Sequence, residues 1–128
     1  NETTTTSTSY QAFTDGVTIT PSATNSKVLI LANFETSGTD SAIRIATSLF
    51  RDSTEVTGGS RLAQRNEQNN TTPAATPTQM SIIFLDSPNT TSAVTYKIAF
   101  KRQDNQSGTV KINDDQKTLV YVAMEIGA

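Results

Sequence analysis

Val94, Tyr96, Ile98 and Phe100 alternate with Thr95, Lys97, Ala99 and Lys101. An apolar period of two places one set of side chains on a single face of a strand and turns the other set to the opposite face. The same period recurs in 41–51, where Ile43, Ile45 and Leu49 share a face. It recurs again in 78–86, where Met80, Ile82 and Phe84 oppose Ile83 and Leu85. No stretch of 11 or more residues carries apolar positions at i, i+3, i+4 and i+7, which an amphipathic helix requires. The chain is therefore predicted to be all-β.

Further strand candidates fall at 10–13, 17–20, 27–35, 55–65, 110–112 and 118–126, where Thr, Val and Ile dominate most of the apolar stretches. Turn signals separate them: Asp15-Gly16, Pro21, Asp52-Ser53-Thr54, Ser87-Pro88-Asn89, Asp104–Gly108 and Asn113–Gln116. Gly58-Gly59 interrupts the 55–65 run as a bulge or turn, and 66–77 reads as a loop. Eight or nine short strands at spacings of about 8–12 residues, with no intervening helices, predict an antiparallel β-sandwich of jelly-roll type. Residues 1–9 are nearly all Thr and Ser and read as a linker or extended arm; 10–128 form one domain. The chain does not begin with Met and is read as a fragment or processed form of something longer.

Two strands are apolar on both faces, Val28–Ala32 and Leu119–Met124. One face of a sandwich strand meets the core, so the second apolar face needs another cover. For the last strand the sequence is read with Val120, Val122, Met124 and Ile126 in the core. Leu119, Tyr121 and Ala123 then form an outward row at a subunit interface.

Composition removes many chemistries. Thr 23, Ser 13, Asn 9 and Gln 7 dominate, and the 128 residues include no Cys and no His. Disulfides, thiolate metal sites, Ser-His-Asp triads and imidazole bases are excluded. A net charge of −2 carries no nucleic-acid footprint, and no apolar run is long enough for a membrane-spanning helix. The five Lys sit at strand ends or on wet faces, where they stay protonated and are poor bases. Asp114 and Asp115 are adjacent, as in a solvated turn, and lack the spacing of a calcium loop or of a glycosidase pair. Asp40, Asp52, Asp86 and Asp104 are read as turn caps. Asn1, Asn69, Asn70, Asn89 and Asn105 begin Asn-x-Ser/Thr sequons, read as plain loop chemistry. The chain is expected to be non-enzymatic, with no cofactor and no metal.

Several stretches in order resemble the small β-sandwich modules of bacteriophage tail fibres and head decorations. They are Val17-Thr-Ile-Thr-Pro21 with Lys27-Val-Leu-Ile30, Leu49-Phe-Arg-Asp-Ser-Thr54, Leu85-Asp-Ser-Pro88 with Thr95-Tyr-Lys97, and Met124-Glu-Ile126. Such modules are in turn similar to the trimeric jelly rolls of the tumour necrosis factor and complement type. The likeness runs from about residue 10 to the end; the chain departs from the complement pattern in its few aromatics, 3 Tyr, 5 Phe and no Trp. It implies a homotrimer on the external surface of a virion, at a fibre tip or as a capsid decoration. Its partners would be other virion proteins and, through polar loops, host-surface glycan. The alternative is an adhesive or carbohydrate-binding module of a larger protein.

Overall fold

Alternation of the kind seen at 94–100 builds eleven strands in a computed structural model, which describes residues 2–39, 42–68, 77–103, 108–113 and 119–127. The strands are β1 (Thr3–Thr5), β2 (Gln11–Ala12), β3 (Val17–Ile19), β4 (Lys27–Gly38), β5 (Ala42–Arg51) and β6 (Thr54–Glu55). They continue as β7 (Ala63–Gln68), β8 (Thr78–Asp86), β9 (Val94–Arg102), β10 (Val110–Ile112) and β11 (Val120–Ile126). All pairings are antiparallel.

In the first sheet, β4 is central. One edge of it pairs with β8; the other pairs with β11 along Lys27–Asn33 and with β10 along Thr36–Gly38, and β1 closes beyond β10. In the second sheet, β9 pairs with β5 on one side and with β2 and β3 on the other, and β5 carries β6 and β7. Setting aside the short β2 and β6, β1 pairs with β10, β3 with β9, β4 with β8, and β5 with β7, and β11 adds to the free edge of β4. Such nested pairing, with the strands divided between two facing sheets, is the jelly roll.

The core lies between the sheets. Phe13, Val28, Ile30, Phe34, Ile45, Leu49, Tyr96, Ile98, Phe100, Val110 and Ile112 are fully buried there, with Met80 and Ile82 nearly so. Each such side chain contributes about 1.5–3 kcal/mol of transfer free energy relative to exposure. The expected inward faces of the strands at 78–86 and 94–102 are those observed, as are Ile45 and Leu49 of the strand at 41–51. Gly58 and Gly59 both have positive φ, 66° and 95°, in the turn after β6, a backbone region costly for residues with a Cβ. Gly16 has a different reason to be Gly: a Cβ there would lie 2.6 Å from the Tyr96 carbonyl oxygen.

Three expectations need correction. Thr3–Thr5, within the stretch read as linker or arm, is an edge strand on β10, tied further by Glu2 Oε2 at 3.8 Å from Lys111 Nζ. Asp86 is not a solvated turn cap but a buried link between the sheets. The faces of β11 are the reverse of those read from sequence. Leu119, Tyr121 and Ala123 pack against the core, whereas Val120, Val122, Met124 and Ile126 face outward.

The reason for that reversal is a gap in the second sheet. β2 ends at Ala12 opposite Ala99, and β3 begins at Val17 opposite Tyr96. Between them Phe13 N–H still reaches the Ile98 carbonyl, at 2.8 Å. The Ile98 N–H instead donates to the Tyr121 hydroxyl at 2.9 Å, and that hydroxyl donates to the Asp15 carbonyl at 3.1 Å. A buried N–H without a partner is costly, so the phenol is held inward by the backbone group it satisfies. Burial also pushes the Tyr121 phenol above its ordinary value.

Candidate subunit interface

With Tyr121 turned in, the other side of β11 joins the outer faces of β4 and β8. The register aligns three rows across the three strands: Leu85, Leu29 and Met124; Ile83, Leu31 and Val122; Ser81, Asn33 and Val120. Ile83 is 70% exposed, Leu85 48%, Val120 48%, Met124 43%, Ile126 42% and Val122 37%. With ordinary residue areas these six leave roughly 500 Å² of apolar surface open, at the upper end of what a monomer carries. No charged side chain interrupts the rows; Lys27, opposite Ile126, stands at their margin. An open hollow of about 300 Å³ lies where the rows become polar. Leu31, Ile83, Val120 and Val122 wall it beside Asn33 and Ser81. Asn33 Nδ2 donates to Ser81 Oγ at 2.9 Å.

The doubly apolar pattern of 28–32 and 119–124 points to this face, and so does the opposition of Ile83 and Leu85 to the core set. The row named from sequence, Leu119, Tyr121 and Ala123, lies on the inner side of the same strand. The two rows alternate along an almost continuous apolar run, so hydropathy does not distinguish them.

The remaining polar clusters hold the fold. Asp86 Oδ2 accepts from Tyr96 OH at 2.7 Å and from Arg51 Nη1 at 2.7 Å, joining β8 of one sheet to β9 and β5 of the other. Burial, then the hydrogen bond to Asp86, pushes the Tyr96 phenol up. Asp52, with φ 52°, accepts from Thr95 N–H at 2.9 Å and is the turn cap that was expected. Glu55 caps the turn after β6. It accepts from Ser48 Oγ, from Thr57 Oγ1 at 2.5 Å and from the backbone N–H groups of Thr57 at 3.1 Å and Gly59 at 2.6 Å. Burial works against its charged form, but these donors outweigh it and hold the carboxyl below its ordinary value. Glu125 accepts from Ser22 N–H and Oγ, both at 2.8 Å, and donors from Ser26 and Ser22 hold it below its ordinary value as well.

Lys101 and Arg102, neighbours on β9, are engaged separately. Lys101 lies over the Tyr10 ring, Nζ 4.4 Å from its centroid, while Arg102 Nη1 donates to the Gly108 carbonyl. The Tyr10 hydroxyl donates to the Ser60 carbonyl at 3.1 Å, so the ring reaches from β9 across the outer side of the second sheet. Among the described residues no group of three or more carboxylates gathers where a metal ion could sit. Asp40, Asp104, Asp114 and Asp115 lie outside the described residues, as do the sequon residues Asn1, Asn69, Asn70 and Asn105.

No family model matches the chain, and no curated protein matches it. A chain of infectious bursal disease virus, Gx strain, is 14% identical with a TM-score of 0.34, covering 98% of this chain and 37% of its own. A chain of the T13 particle of that virus is 12% identical with a TM-score of 0.35, covering 96% and 34%. The Eiger TNF of S. frugiperda is 9% identical with a TM-score of 0.34, covering 80% and 87%. The chain thus spans about a third of the length of the viral chains. These scores are low, and the jelly-roll assignment stands on the nested strand pairing.

Proposed function

We propose that this chain is a non-enzymatic structural module of a virus particle, a phage fibre tip or capsid decoration, working as a homotrimer. The observation that carries the assembly reading is the apolar outer face of β8, β4 and β11. A face of that size on hydrogen-bonded strands invites aggregation in a free monomer and is stable when another subunit covers it. The virion setting rests on the sequence resemblance and agrees with a chain free of Cys. The non-catalytic reading is supported by the lack of His and Cys. It is supported also by the hydrogen bonds that commit Asp52, Glu55, Asp86 and Glu125 to backbone or inter-sheet partners.

Light scattering tests the assembly. The wild-type mass should be that of three chains, and Ile83→Lys should give one chain with an unchanged far-ultraviolet spectrum, since an unpaired buried charge is costly at an interface. A wild-type protein that stays monomeric at all concentrations overturns the reading. Release of reducing ends from host polysaccharide would overturn the non-catalytic part. Selective binding on a glycan array, by a monomer, would favour an adhesive module instead.

A further inference from the structure

We infer that Asn33 sets the register in which copies of this chain meet. The inference rests on the assembly reading above and names the residue that decides its arrangement; the occupant of the face is a second copy. The roughly 500 Å² of open apolar surface is over half of the ~800 Å² that one partner contributes to a standard interface. The rows carry no charge, so two identical faces do not repel.

Such a face has a weakness. Leu29 and Leu31 on β4, Ile83 and Leu85 on β8, and Val120, Val122, Met124 and Ile126 on β11 recur at every second position, roughly 7 Å apart. Shifting one copy by that step exchanges one aliphatic contact for another at little cost. Apolar complementarity alone therefore leaves several registers close in free energy, and several subunit numbers with them. Asn33 breaks this degeneracy. It is exposed on the central strand, at the end of the apolar rows, beside the hollow walled by Leu31, Ile83, Val120 and Val122. One amide N–H is used on Ser81 Oγ. The other N–H and the amide oxygen meet no other group among the described residues. Covered by an aliphatic row of a neighbour, these groups would lose their water without gaining a partner. The register that gives the amide a polar partner, its own mate about the symmetry axis or Ser81 of the next copy, is the one selected. A single buried Asn fixes register and subunit number in helical seams by the same physics.

Native mass spectrometry and sedimentation velocity on the full chain test this with Asn33→Val and Asn33→Thr. Val suits an exposed strand position, so the fold should survive, as checked by far-ultraviolet circular dichroism. Asn33→Val should associate about tenfold more tightly and spread over more than one stoichiometry. Asn33→Thr, which keeps a hydroxyl, should hold a single stoichiometry. An Asn33→Val protein with the wild-type stoichiometry and affinity overturns the inference, and so does a folded, monomeric Asn33→Val. Both results leave the assembly reading in place if Ile83→Lys still dissociates the wild-type oligomer. A wild-type monomer removes the two together.

Discussion

Replacing Tyr121 by Phe removes one oxygen and keeps the ring, so it isolates the interaction that orients β11. The lost hydroxyl accepts from Ile98 N–H at 2.9 Å and donates to the Asp15 carbonyl at 3.1 Å. Ile98 is fully buried, so its amide has no route to water once the phenol is gone. An unsatisfied buried donor costs about 1–3 kcal/mol, and the Asp15 carbonyl adds less because Asp15 is exposed. With an unfolding entropy near 2.1 cal/mol/K per residue, a chain of this length should lose roughly 4–11 °C in Tm. Urea denaturation followed by circular dichroism measures the free energy. It should be run at several protein concentrations, because assembly stabilises the folded chain by mass action. Amide exchange read by NMR should show the Ile98 N–H losing protection relative to its neighbours on β9. If the stability loss is under about 0.5 kcal/mol and the Ile98 amide is unchanged, the phenol does not fill the gap between β2 and β3. The inward face of β11 would then have to be reassigned.

Other substitutions probe the remaining contacts. Ile98→Ala should cost about 2–5 kcal/mol by chemical denaturation, since the side chain is fully buried between the sheets; a loss under 0.5 kcal/mol would contradict its placement. Asp86→Ala leaves the buried Tyr96 hydroxyl and Arg51 without their shared acceptor and should cost about 2–3 kcal/mol, whereas Asp52→Ala, at an exposed turn, should cost less. Glu55 is held below its ordinary carboxyl value, so its contribution is present above the unfolded value of 4.5 and is lost as the pH falls through the folded one. Proteolysis of the turn at 56–60 should therefore accelerate below about pH 4.5 in the wild type and be fast already at pH 7 in Glu55→Gln.

Much of this molecule is legible in the order of its residues. The alternation at 94–100 determines which side of β9 meets the core, because a period of two leaves a strand only one way to hide Val94, Tyr96, Ile98 and Phe100. The same logic assigns Met80 and Ile82 inward and Ile83 and Leu85 outward. The runs at 28–32 and 119–124 announce that one sheet needs cover on both faces. The absence of His and Cys narrows the chemistry before any geometry is known.

Tertiary structure decided the rest, wherever local pattern is degenerate or the deciding partner is distant in the chain. Leu119 to Met124 is apolar at every position, so hydropathy gives its two faces equal claims on the core. The choice falls to a backbone N–H at Ile98, exposed by a gap between two other strands, which only the assembled sheet creates. Asp86 looks like a turn residue beside Ser87-Pro88, yet Arg51 and Tyr96 converge on it once the sheets face each other. Thr3–Thr5 has no apolar face and becomes a strand because β10 offers an unpaired edge for its backbone hydrogen bonds. Hydrophobic alternation records which side chains avoid water. Where polar groups find their partners depends on packing between segments far apart in sequence, and here that packing chose which apolar face stays open to solvent.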